Sequence, residues 1–213
     1  NFEFSADQMQ LKDIARKFLE KEDSVKRARN VLEGEASYDE DLWSQIIEMG
    51  FTATAIPEEY GGLGLGYLEL CVIAEELGRS LAPTPFSSSV YLATEAILNF
   101  GDDSTKQAFL PALASGEKIG AFAHSESNTS PTEANIECTY SGGAISGTKI
   151  AVVDGDVANV YIVTANNGSG VGLYLVDASS AQVEITSQPT LDPSRSHASL
   201  TFNKTAATEL KSD

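Results

Sequence analysis

Phe109-Leu110-Pro111-Ala112-Leu113-Ala114-Ser115-Gly116-Glu117-Lys118-Ile119-Gly120-Ala121-Phe122-Ala123-His124 is where the chain changes character. Up to Ser115 apolar residues recur at helical spacing, and Gly116 is a residue type that closes helices. From Lys118 onward the apolar runs are short and alternating, and Gly, Asn and Asp separate them. The change predicts an α+β protein: an N-terminal all-α domain over 1–117, followed by a small antiparallel β-barrel domain over 118–213.

Working upstream, Ser5-Ala6-Asp7-Gln8 reads as a capping box, with the hydroxyl at the N-cap and Gln three residues on. Leu11, Ile14, Ala15, Phe18 and Leu19 then form one apolar stripe. The charged stretch 21–29 is expected to be solvated. A second helix is predicted over 39–49, opened by acidic residues that suit the helix dipole and closed by Gly50. Leu42, Trp43, Ile46 and Ile47 supply its buried face. The run 51–56 is short and apolar, and 57–66 is too Gly-rich for a regular element. A third helix is expected over 67–77, ended by Gly78. Pro83 and Pro85 interrupt the chain before helices over 87–100 and 103–115.

Downstream, strands are predicted near 118–124, 135–140, 144–153, 158–165, 171–177, 182–187 and 198–203. Ser141-Gly142-Gly143 is a hairpin signal, and 154–156 and 166–170 are further turns. Strands this short and evenly spaced, without intervening helices, suit a small barrel or sandwich.

The 213 residues carry 31 acidic against 14 basic side chains, a formal charge of −17. Such a surface repels phosphate backbones, so no nucleic-acid partner is expected. No apolar run approaches the length that spans a bilayer. The first residues do not read as a signal peptide, and two cysteines make no disulfide framework, so a cytoplasmic location is expected. Two histidines without a CxxC pair make a metal site improbable.

Few residues suggest self-contained chemistry. Gly62, Gly64 and Gly66 do not match a dinucleotide fingerprint, and no Gly-Lys-Ser/Thr follows them. A tight turn is the simpler reading. His124 and Ser125 are adjacent on a predicted strand and so face opposite ways, which excludes a ready Ser–His pair. Asp192 and Arg195 are spaced for a local surface ion pair.

Three segments carry more. Ile56-Pro57-Glu58-Glu59-Tyr60-Gly61-Gly62-Leu63-Gly64 comes first. Lys106-Gln107-Ala108-Phe109-Leu110-Pro111-Ala112-Leu113-Ala114-Ser115-Gly116-Glu117 comes second. Ser146-Gly147-Thr148-Lys149, with Asp154-Gly155 and the strand over 157–165, comes third. In order and spacing they resemble the "P-E-E-Y-G-G-x-G", "F-L-P-x-L-x-S-G-E" and "x-G-x-K-x-W-I-T-N-G" signatures of acyl-CoA dehydrogenases. The likeness covers essentially the whole chain.

The resemblance implies an N-terminal helical domain, a middle β-barrel and a further C-terminal helical domain. It implies FAD as cofactor and α,β-dehydrogenation of an acyl-CoA thioester to a 2-enoyl-CoA. It also implies an electron-transferring flavoprotein as electron acceptor and a homo- or hetero-oligomer. The family's catalytic glutamate usually lies in the C-terminal domain, so no catalytic residue is expected among these 213. The cofactor-binding positions carried over are Phe122, His124, Ser125, Ala151 and Val153, and the substrate-binding ones Ser130 and Thr132. The sequence departs from the family at several of them. Ser125 keeps a hydroxyl where the family has Thr, and Glu126 is retained. Ala151 replaces a Trp and Val153 a Thr, which removes a ring contact and a hydrogen bond. With Leu191-Asp192-Pro193-Ser194-Arg195 ahead of the last strand, these changes resemble members that act on steroid or other bulky acyl groups, often as heteromers. A degenerate partner subunit is the alternative reading. Acyl-CoA oxidases and flavin monooxygenases share similar scaffolds.

Overall fold

The computed structural model describes residues 3–34, 36–129, 132–179 and 181–211. Among the described residues six α-helices precede the strands: α1 (Ala6–Lys21), α2 (Ser24–Glu33), α3 (Glu40–Glu48), α4 (Tyr67–Arg79), α5 (Glu95–Phe100) and α6 (Asp103–Ala114). The first starts as its capping box dictates, with Gln8 N–H donating to the Ser5 hydroxyl at 3.1 Å and Ser5 N–H donating to the Gln8 side chain at 2.9 Å. Asp39 caps α3 by accepting from Leu42 N–H at 2.8 Å.

The charged stretch 21–29 is not merely solvated. It holds the end of α1 and the start of α2, which buries Ala28 and Val31. Arg27 there bridges Glu22, Asp39 and Asp41 at 2.8–3.0 Å. Nor does Gly78 end the third helix. It is not in the left-handed region that a glycine stop requires, and α4 runs on until Ser80 caps it. The helix expected over 87–100 begins as a π-helical segment, Ser87–Thr94, and tightens into α5.

The Gly-rich segment is a folded-back loop, as the simpler reading held. After a 3₁₀ turn (Glu58–Tyr60), Leu63 N–H donates to Ala53 O and Gly64 N–H to Ile56 O, each at 2.9 Å. A Cβ on Gly62 would sit 1.9 Å from the Ile56 carbonyl oxygen, so only glycine allows the fold-back.

The strands are β1 (Gly120–Ala123), β2 (Thr139–Ser141), β3 (Ala144–Val153), β4 (Val160–Asn166), β5 (Val171–Asp177), β6 (Val183–Gln188), β7 (His197–Ala206) and β8 (Thr208–Glu209). They form one sheet in the order β6-β7-β3-β2-β4-β5-β8, with β1 also on β4. The expected order of helices then strands is therefore found. The sheet is mixed, because β1 and β2 both run parallel to β4 and the other pairings are antiparallel. Hairpin reasoning sees only neighbours in sequence. A parallel pair joins segments far apart in the chain.

β4 links the two parts. Tyr161, Val163 and Ala165 point into the sheet core with Val152, Leu200 and Phe202. Val160 and Ile162 point the other way, onto Ala93, Ile97, Leu110 and Leu113 of the helical part. A strand covered on both faces reads as a continuous apolar run, and β4 is one. Among the described residues no helix is long and apolar enough to cross a membrane.

Candidate functional site

Phe122, His124 and Ser125, three of the expected site positions, lie where β1 ends and meets β3. Phe122 is half-buried near the end of β1, and His124, Ser125 and Glu126 leave the strand. β3 buries alternate residues, Ile145 among them, and that alternation drives Lys149 inward until it is fully buried. Its ammonium has three N–H groups and finds three acceptors. These are Glu126 Oε1 at 2.6 Å, Thr164 Oγ1 at 2.8 Å and the His124 carbonyl at 3.0 Å. Glu126 also accepts from Glu137 N–H at 2.6 Å and Cys138 N–H at 3.1 Å. Burial alone would raise the Glu126 pKa. The hydrogen bonds from Lys149 and the two backbone N–H groups outweigh it and hold the carboxyl below its ordinary value. The neighbouring Cys138 thiol is pushed up to about 12, chiefly by burial, which makes it inert as a nucleophile.

Ile150 N–H donates to the Ser125 carbonyl at 2.8 Å, completing the clamp of β3 on the 124–126 segment. Among the described residues, the N–H and hydroxyl of half-buried Ser125 have no partner. They are the two donors this edge offers a ligand. His124 pairs through Nδ1 with Thr164 Oγ1 at 3.0 Å, so His124 and Ser125 do not act as a couple.

On β3 the pairing with β7 slips between Lys149 and Val152. The irregularity puts Ala151 in the left-handed region at φ 52°, with its methyl exposed. The Gln188 side chain accepts from Ala151 N–H at 2.8 Å. Val153 is half-buried and lies opposite His197.

One expectation fails next door. Arg195 does not close on Asp192. It turns inward to the buried carboxylate of Asp154 and donates to Ser87 Oγ at 3.0 Å. Ser88 donates to the same carboxylate at 2.5 Å. A buried carboxylate outcompetes an exposed one for a guanidinium, because its charge has no water to satisfy it. Asp192 instead accepts from Ser194 N–H at 3.0 Å. The cluster pins the π-helical segment to the sheet and borders a cavity of about 580 Å³, walled by Leu77, Phe86 and Tyr91.

Thr132 is exposed at the start of a 3₁₀ turn (Glu133–Asn135), apart from the Lys149 cluster's hydrogen bonds. Ser130 lies outside the described residues. Sequence reading missed Lys149, Thr164 and Gln188. Only the lysine left a signal, since it occupies an inward position in an alternating strand.

The model of the acyl-CoA dehydrogenase N-terminal domain matches residues 5–117, more than half of the chain. The chain belongs to the acyl-CoA dehydrogenase family. It is 34% identical over 157 residues to acyl-CoA dehydrogenase FadE27 of Mycobacterium tuberculosis, covering 73% of this chain and 42% of that protein. It is 31% identical over 177 residues to the mitochondrial isovaleryl-CoA dehydrogenase of Arabidopsis thaliana, covering 79% and 43%. Its fold matches the ChsE4-ChsE5 complex from Mycobacterium tuberculosis at TM-score 0.84 and 27% identity, covering 98% of this chain and 57% of the other. The Tcur3481-Tcur3483 steroid ACAD matches at 0.83 and 29% identity, covering 96% and 57%. The chain thus spans a little under half the length of FadE27 and of the Arabidopsis isovaleryl-CoA dehydrogenase.

Members of the family are FAD-dependent, and the residues here fit a flavin on one edge only. The 122–126 edge offers the half-buried Phe122 ring and the two unpaired donors of Ser125. The 151–153 edge of this family member offers neither an aromatic ring nor a hydroxyl, and Gln188 already holds its exposed N–H. Alone, the chain does not fit FAD on the pattern its motifs resemble.

Proposed function

We propose that this chain is the helical and sheet portion of a flavin-dependent acyl-CoA dehydrogenase, converting an acyl-CoA thioester to a 2-enoyl-CoA. The supporting observation is the 122–126 edge, clamped by buried Lys149 with both Ser125 donors left outward. In this reading Phe122, His124, Ser125, Ala151 and Val153 are the positions that serve FAD, Ser130 and Thr132 those assigned to the acyl-CoA, and the helical domain passes to the β domain at 117/118. The α-proton base, the second wall of the site and the electron-transferring flavoprotein would come from outside these residues. FAD, when bound, would supply the hydride acceptor; the 122–126 edge of this chain would hold one side of it. A cytoplasmic location and an oligomeric assembly belong to the same reading. The test is anaerobic addition of acyl-CoA to the protein purified with its natural partners. Loss of the oxidised-flavin absorbance is expected; a flavoprotein left oxidised by every acyl-CoA tried would sink the reading.

A second reading is favoured by Ala151, Val153 and Gln188: a non-catalytic subunit that completes a partner's site, as for a steroid or other bulky acyl-CoA. The heteromeric neighbours support it. Flavin stoichiometry separates the two. One flavin per copy of this chain supports the first reading, and one flavin per pair of unlike subunits supports the second.

A further inference from the structure

We infer that the cavity beside the Arg195–Asp154 cluster is a binding site for a neutral, mostly apolar molecule that carries a hydroxyl or keto oxygen. Flavin is not needed for it, since no residue of 122–126 or 151–153 lines this cavity. Its volume is about 580 Å³, within the range of roughly 300–1,000 Å³ usual for small-molecule sites.

Three departures from local rules meet on its wall. The first is Leu81. α4 ends in a Schellman motif, with Ala82 N–H donating to Leu77 O at 3.0 Å and Leu81 N–H donating to Gly78 O at 3.1 Å. The residue after the cap is then left-handed, a place that glycine usually takes. Leu81 takes it instead at φ 50°, with its side chain 63% exposed. A leucine there strains the backbone and leaves most of its side chain in water, so fold stability does not explain it. The second is Thr84, which is 2% exposed and whose hydroxyl has no partner among the described residues. A buried hydroxyl left so costs free energy until something bonds to it. The third is the π-helical segment, whose Ser87 and Tyr91 line the cavity. Such turns are rare and gather at functional sites. Strain and unmet hydrogen bonding persist where a ligand rather than the fold is served.

The lining also selects the ligand. Val25 and Leu32 of α2, both exposed, join Leu81 and the Phe86 ring as apolar wall. Charge cancels. Exposed Arg29 and Asp192 carry opposite signs, and the Arg195 guanidinium is taken by Asp154. The Tyr91 phenol, its pKa raised by burial, stays neutral. Nothing there favours an ion. Among the described lining residues, the Thr84 hydroxyl is the buried polar group without a partner. It can give one hydrogen bond or accept one, which matches a keto or hydroxyl oxygen.

Trp43 is the single tryptophan and packs edge-to-face on Phe86, ring centroids 6.4 Å apart, so its fluorescence reports on the cavity. The probes are androstenedione, a fused-ring ketone, and 1-decanol, added to the wild-type chain without FAD. A saturable change in Trp43 emission is expected, with amide shifts at 81–91 over the same concentrations. Thr84→Val should weaken binding about tenfold, the worth of one hydrogen bond, without lowering the urea midpoint. Leu81→Gly should raise the midpoint and still weaken binding several-fold. Decanoate should bind more weakly than decanol. The absence of a saturable response to either probe overturns the inference. So does an affinity that survives both substitutions, a lower midpoint in Leu81→Gly, or tighter binding of decanoate. Should Thr84→Val not fold, Leu81→Gly and the decanoate comparison decide. Failure of the flavin test leaves each of these results standing.

Discussion

Lys149 Nζ and Glu126 Oε1 meet at 2.6 Å, the lysine fully buried, joining the middle of β3 to the segment that leaves β1. A buried pair like this adds little net stability over an apolar pair of the same shape, but it is costly to break. It therefore acts as a lock on geometry.

Lys149→Met leaves the half-buried Glu126 carboxylate without its counter-charge, held only by the Glu137 and Cys138 N–H groups among the described residues. It should cost about 3–5 kcal/mol. Lys149→Met with Glu126→Gln should recover much of that, because no unpaired charge remains. Urea unfolding of the two variants checks it; equal losses would mean that lost packing, not charge, dominates.

The pH dependence follows from Glu126. Its folded pKa lies below the ordinary 4.5. The unfolded chain therefore takes up the proton first as pH falls. The stabilisation is fully present above about 4.5, and is lost as pH drops through the lower, folded value. Urea midpoints measured from pH 7 downward should decline faster in the wild type than in Glu126→Gln. Parallel curves would show that other carboxylates carry the acid sensitivity.

Ala151 and Val153 set the flavin prediction. The wild-type chain of 213 residues should bind FAD weakly or not at all. Ala151→Trp with Val153→Thr should tighten binding when Gln188→Ala also frees the Ala151 N–H. Quenching of flavin fluorescence measures the affinity. A tight, stoichiometric flavin on the wild-type chain, or no gain in the triple variant, would show that the motif alignment is misplaced.

Arg195→Ala leaves the Asp154 carboxylate buried with, among the described residues, only Ser88 as a side-chain donor. A loss of about 3–5 kcal/mol is expected, and the π-helical segment should loosen from the sheet. Asp154→Asn with Arg195→Ala should be milder than Arg195→Ala alone. Hydrogen exchange at the amides of 87–94 reports the loosening, and unchanged protection there would exclude a clamp.

Much of this was legible in the chain. The capping box at Ser5, the Asp39 start of α3, the glycine loop at 61–66 and the change near Lys118 are local signals. Each is set by side chains within a few residues of the backbone they control, so one sequence suffices to see them. Three motifs in order were also enough to suggest the family, because their spacing is long and specific.

Partners distant in sequence were a different matter. Arg195 was matched to Asp192, three residues away, yet it belongs to Asp154, which the fold buries beside it. The parallel pairing of β1 with β4, the three acceptors around Lys149 and the capture of the Ala151 N–H by Gln188 depend on segments 15 to 40 residues apart. The sequence by itself determined that helices precede strands, where α1 and α3 begin, and which residue types stand at the positions that resemble the family's flavin motifs. The tertiary structure alone decided which buried charge meets which. Desolvation makes that choice, and desolvation exists only once the layers have packed.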